Sequence, residues 1–341
     1  MRRPSLPSDW VNLPDEALLN VRMCDLPLQI DNELAERTEQ LRAELRAAGL
    51  VAPVHFYLSD EWFTPDGTTS IAVPFYLAHP RLAKLEESQM LEVEGGEYEW
   101  CMRILRHEAG HAIDNASKLR LRRQRLTVFG SYKKPYPESY TPRPYSKSFV
   151  LHLDSWYAQS HPDEDFAETF AVWLTPASEW RQRYAEWPAL KKLEYMDALM
   201  HSVRHKAPRL DNPEEIEPLW RLRKTLRQHY RTKRRHYGVD YPNFYDRDLR
   251  RLFSDAPEFA SSVTAAQFIG RIRRQTRRVV AEWTGIYQYT IDQVIEDMIA
   301  RSRELKLRLA VSEEQARREF TVLLTVQTMN HLHSGGHRLF L

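Results

Sequence analysis

The chain has 341 residues, 42% of them hydrophobic and 11% aromatic, and 49 Lys and Arg against 47 Asp and Glu leave a net charge of +2. That length permits one large domain or two ordinary ones, with a core that needs no disulfides. The composition excludes a disordered chain, and no apolar run approaches the roughly 18 residues of a membrane span, so a soluble protein with no membrane partner is expected.

The first residues, "MRRPSLPSDWVNLPDEALL", lack the continuous apolar core of a secretory signal. Only two cysteines occur, Cys24 and Cys101. One distant pair is no disulfide framework and neither has a close Cys neighbour for a thiolate site, which fits the cytoplasm, with both expected as buried small apolar residues. Basic residues crowd into 118–134, 231–238 and 271–278, and acidic ones into 85–99 and 163–168. Such runs are usually solvated helix faces; the alternative is a groove for an acidic or nucleic-acid partner.

In chain order, Leu34, Leu41 and Leu45 fall on one face of a helix expected from Asn32 to Gly49, closed by that glycine. The stretches 51–58 and 69–77 are short, β-branched and aromatic and are read as strands around a turn-rich linker. Pro74 inside the second argues for a sheet edge, whose free backbone groups would suit an extended peptide. A helix is expected from about Tyr98 to Ala116, with Cys101, Leu105, Ala109, Ala112, Ile113 and Ala116 as its core stripe. The basic, Pro- and Tyr-rich segment 118–150 is too long for a simple connector and is read as a lid or insertion bordering a site. A further helix opens at Pro162 and ends at Pro176, with Phe166, Phe170 and Trp173 facing one way. Helical periodicity dominates from Trp180 onward.

The chemistry concentrates in "RILRHEAGHAIDNASKL", 103–119. Imidazoles four residues apart on a helix lie side by side, so His107 and His111 can reach one zinc ion. Glu108, about 100° further round, can reach a water without binding the metal and so can serve as general base. A catalytic zinc takes three protein ligands and leaves one position open. For the third, "DEDFAETF" offers Glu164 and Glu168, one turn apart with carboxylates on the same side, and Ala167 and Ala171 let that helix pack close. Asp165 projects away and Asp163 sits at the helix start, where acids are favoured in any case. His152 and His161 are substitute ligands or ordinary surface and helix-start residues. The tail histidines His331, His333 and His337 are a weaker metal-binding possibility. Asp114 either bonds a neighbour behind the site or faces solvent.

Through "PFYLAHPRL", "RHEAGHAIDNA", "WYAQSHPDEDFAETFAVWL" and "WPALKKLEY", the chain resembles gluzincin metallopeptidases, most closely a group of bacterial zinc-binding metallopeptidases, over most of its length. A weaker likeness links the HEAGHA helix, a tyrosine and the E-x-F-A-E helix to the lethal factor catalytic domain. The resemblance implies that His107, His111 and Glu164 bind zinc, that Glu108 is the base, that Glu168 orients a ligand from behind, and that Tyr157 donates to the developing oxyanion. The fold expected is therefore α+β: a zincin-like domain over 1–200 with a small mixed sheet, then a mainly helical region over 201–341. The function expected is zinc-dependent hydrolysis of a peptide or protein substrate. The alternatives are a nucleic-acid-stimulated protease, motivated by the basic runs, and a non-catalytic zinc-containing scaffold.

Overall fold

Leu34, Leu41 and Leu45 form the buried face of a helix spanning Asn32–Ala47 in the computed structural model, which describes residues 9–137, 139–140, 142–143, 146–237, 245–333 and 339–340. Gly49, at φ 75°, ends that helix, and the Leu50 N–H reaches back to the Leu45 carbonyl at 2.9 Å. A left-handed residue at this point lets the chain satisfy the last open carbonyls, and glycine takes it without a Cβ clash.

Strands β1 (His55–Ser59) and β2 (Ser70–Pro74) pair in parallel, with His55 opposite Ser70 and Ser59 opposite Pro74. Pro74 is the last residue of β2, where its missing N–H costs no ladder bond. The free peptide-binding edge expected for β2 is not what the structure has. All five β2 residues are buried, and the Ala72 N–H donates to the Phe63 carbonyl at 2.8 Å in an antiparallel bridge. The linker between the strands thus folds back onto β2, so the small sheet is parallel on one side of β2 and antiparallel on the other.

The helix expected near residues 98–116 runs Tyr98–Ser117, and its core stripe is buried as anticipated. Burial goes further, taking in Arg106, His107, Glu108, Asp114 and Asn115. This histidine helix packs against the Asn32–Ala47 helix, β2 and the helix Pro162–Leu174. Arg106 anchors it to the first of these through two hydrogen bonds of 2.7 Å to the Glu44 carboxylate.

The Pro162–Leu174 helix, here the acidic helix, crosses the histidine helix where Gly110 meets Ala167: a Cβ on Gly110 would lie 2.9 Å from the Ala167 Cα. Phe166 and Phe170 are fully buried, while Trp173 is half-buried. On its far side Val172 joins Val150, Trp180, Tyr184, Ala189 and Leu193 in a separate cluster.

The chain divides into two compact units, the first running to Arg231 and the second from Thr232 to Phe340, further along than the 200/201 boundary read from the sequence. The second unit is mainly helical, with helices Asp246–Leu252, Ala265–Thr284, Gln288–Glu304 and Glu313–His333. Its core includes Phe253, Phe268, Ile269, Ile295, Met298 and Phe320. Three of the five arginines in the basic run 271–278 are paired within this unit. Arg271 pairs with Glu313 at 2.7 Å, Arg273 with Asp292 at 2.6 Å, and Arg277 with Asp292 at 2.9 Å. No helix among the described residues is long and apolar enough to cross a membrane. Taken together, the architecture is mixed α and β with helix predominating.

Candidate metal centre

The histidine helix presents His107 and His111 to the first two turns of the acidic helix. His107 Nε2 lies 2.9 Å and His111 Nε2 3.3 Å from Glu164 Oε2, and the two imidazole nitrogens are 3.2 Å apart. Four-coordinate zinc with bonds of about 2.0–2.1 Å sets its ligand atoms about 3.3 Å from one another. The three atoms therefore already stand at the mutual spacing of a tetrahedral face, and of all His, Cys, Asp and Glu among the described residues these three alone form such a group.

Glu168 lies one turn on and is fully buried. Its Oε1 is 2.8 Å from His107 Nδ1, and its Oε2 accepts the Leu153 N–H at 2.9 Å. A carboxylate that accepts from a backbone N–H on one oxygen leaves His107 Nδ1 as donor on the other, so that loss of the Nε2 proton would leave the ring's lone pair on Nε2, toward Glu164 and His111.

Charge in this site is set by burial working against close partners. Burial opposes a positive His107, yet hydrogen bonds to Glu164 and Glu168 hold its pKa well above the ordinary imidazole value. Partial burial opposes a positive His111 as well, yet Glu164 raises its pKa. Burial pushes the Glu164 carboxyl up, but the two imidazoles hold it well below the usual carboxylate range. One carboxylate and two imidazoles thus face one another closely enough to hold a metal ion.

Glu108 is not part of the group. Its Oε2 accepts from the Thr64 hydroxyl at 2.8 Å, and the same hydroxyl is 3.2 Å from the Glu108 carbonyl. Tyr157 stands in a short 3-10 turn, Asp154–Gln159, with its ring centroid 5.5 Å from that of His107. Trp156 before it sits at φ 54°, a left-handed conformation that a bulky residue seldom adopts and that concentrates at functional sites. Burial, then the Glu164 and Glu108 carboxylates, raise the Tyr157 pKa well above its ordinary value, so the phenol keeps its proton.

The remaining sequence candidates have other duties. His161 caps the acidic helix: its Nδ1 accepts from the Asp163 N–H at 3.1 Å, and its Nε2 lies 2.7 Å from the Lys134 carbonyl. His79 does the same for the helix Pro80–Met90, accepting from the Arg81 N–H at 3.0 Å, so "HP" marks a helix start twice in this chain. His152 is buried, not a surface residue, and its Nε2 bonds the Arg103 carbonyl at 2.9 Å. His331 and His333 fall in the last helix, and His337 lies outside the described residues.

The acids of the first turn are buried pairs, which a favourable helix start does not explain. Asp163 and Asp114 share the buried Arg125, at 2.5 and 3.1 Å from its Nη2, so Asp114 faces neither solvent nor the metal group. Asp165 pairs with Lys192 at 2.7 Å, and burial lifts its carboxyl to about 7.

Sequence reasoning passed over Thr64, Arg125 and Tyr136. Tyr136 belongs to the 118–150 segment, and its hydroxyl donates to Glu164 Oε1 at 2.7 Å. Tyr136 is nearly half exposed; desolvation where it is covered and the adjacent Glu164 raise its pKa, so it too remains a donor. Its only legible signal was membership of a segment expected to border the site. Comparison with family models, curated proteins and solved structures gives no match.

Proposed function

We propose that the chain is a zinc metallopeptidase of the zincin type, hydrolysing peptide bonds, with His107, His111 and Glu164 as the metal ligands. The observation that carries this reading is the spacing of the three donor atoms, 2.9, 3.2 and 3.3 Å, beside a carboxylate that is not among them. A structural zinc site would close with a fourth protein ligand; this group offers three. Zinc held there would supply Lewis-acid polarisation of the scissile carbonyl and of a water.

The protein's own groups have separable roles. Glu108 accepts the proton of the attacking water and returns it to the leaving amine nitrogen, the ordinary duty of a general base that becomes a general acid. Thr64 holds Glu108 Oε2, leaving Oε1 for the water. Glu168 keeps the His107 ring in one tautomer and orientation. Tyr157, protonated, donates to the oxygen on which charge develops. The free thiols of Cys24 and Cys101 support a cytoplasmic setting.

Metal analysis of the purified protein, followed by peptide-library digestion with wild type and Glu108→Gln, tests the reading. One zinc per chain and products that vanish in Glu108→Gln are expected. Zinc without any Glu108-dependent product would leave a metal-containing binding protein in place of the enzyme.

A further inference from the structure

The stretch from Ser131 to Pro137 follows the short helix Arg123–Phe129 and crosses to the first turn of the acidic helix. Its Lys134 carbonyl is bonded by His161 at 2.7 Å, and the Tyr136 ring stacks on the His161 imidazole with centroids 3.8 Å apart and planes at 19°. His161 is a fixed platform, because its other nitrogen caps the acidic helix at 3.1 Å. The tyrosine ring is thereby aimed, and its hydroxyl ends 2.7 Å from Glu164 Oε1. The other oxygen, Oε2, is the one that faces His107 and His111.

A lone carboxylate beside a metal can rotate, exchange its oxygens or bind through both. A donor on Oε1 removes that freedom, since turning the carboxylate would break a hydrogen bond to a charged acceptor. We propose that Tyr136 is the positioning residue that makes Glu164 a single-oxygen metal donor, with the stretch 131–137 serving as the arm that delivers it. This rests on reading His107, His111 and Glu164 as a metal site. The role is separable from packing, because phenylalanine at 136 keeps the stack on His161 and removes only the hydroxyl.

The test measures metal affinity directly. Wild type, Tyr136→Phe and the control Tyr132→Phe, whose ring lies against Arg120 at 5.7 Å, compete for zinc with a chromophoric chelator, and each is also loaded with cobalt for its visible spectrum. Tyr136→Phe should bind zinc about 10–100-fold more weakly, the usual effect of losing a group that orients a ligand. Its cobalt bands should change shape, while the metal-free protein melts as wild type does and Tyr132→Phe matches wild type throughout. Wild-type affinity and an unaltered cobalt spectrum in Tyr136→Phe would overturn the proposal. So would a loss shared by Tyr132→Phe or accompanied by a lower melting point, since either marks general destabilisation. A wild-type protein that takes neither zinc nor cobalt is a different result and defeats the metal centre itself.

Discussion

His107 Nδ1 and Glu168 Oε1 stand 2.8 Å apart at the meeting of two helices, with Glu168 fully buried and its second oxygen held by the Leu153 N–H. That arrangement commits both Glu168 oxygens elsewhere, while Glu164, one turn earlier, has an oxygen within 3.3 Å of both imidazoles. The two glutamates should therefore fail differently. Glu164→Ala should purify nearly free of zinc, whereas Glu168→Ala should retain it with affinity or activity lowered about 10–100-fold. Zinc contents in the opposite order, read by atomic absorption, would exchange the two roles.

The crossing of the histidine and acidic helices should tolerate no added volume at Gly110. A Cβ there would approach the Ala167 Cα to 2.9 Å and its carbonyl oxygen to 3.2 Å, both backbone atoms that cannot swing aside. Gly110→Ala should gain helix propensity of roughly 1 kcal/mol and lose more to overpacking, which typically costs about 1–3 kcal/mol. Forcing the helices apart also separates His107 and His111 from Glu164, so zinc affinity should fall with stability. Denaturant melts and zinc titration on the same variant check both; a stabilised variant with unchanged affinity would contradict the close crossing.

Arg125 is fully buried between Asp114 of the histidine helix and Asp163 of the acidic helix, over the Phe166 ring at 5.0 Å. Arg125→Met strands two carboxylates in the interior and should cost about 3–5 kcal/mol in urea unfolding. The triple variant Arg125→Met, Asp114→Asn, Asp163→Asn removes the whole charge set and should recover much of that loss. Equal instability of the single and triple variants would show that the guanidinium matters for packing alone.

Burial lowers the His152 pKa to about 4, so the folded protein keeps this ring neutral while the unfolded chain titrates near the ordinary value of 6.5. The unfolded state therefore takes up a proton first as pH falls. Stability is undiminished above about 6.5 and declines between there and about 4, by up to roughly 3 kcal/mol for a shift of this size. His152→Gln keeps an N–H donor for the Arg103 carbonyl but does not titrate. Its stability should fall less than that of wild type across this window, measured by urea unfolding at pH 7 and pH 4.5. Parallel curves would remove His152 from the acid response.

Local periodicity and pairwise spacing were enough for much of this protein. The helix limits near Asn32, Tyr98 and Pro162, the core stripe from Cys101 to Ala116, and the convergence of His107 and His111 are properties of a 3.6-residue turn and need no distant partner. The same holds for Glu164 and Glu168 lying on one side of their helix. What their oxygens touch was decided by tertiary structure, because a carboxylate's role depends on which donor meets it. Tyr136, Leu153 and Thr64 reach the site from irregular segments that carry no period. The burial of β2 escaped the sequence for the same reason, since Pro74 marks an edge locally but cannot announce that Phe63 folds back to cover it. Arg125 looked like one more charge in a basic run. Only the packing of two helices around it made it the shared partner of Asp114 and Asp163.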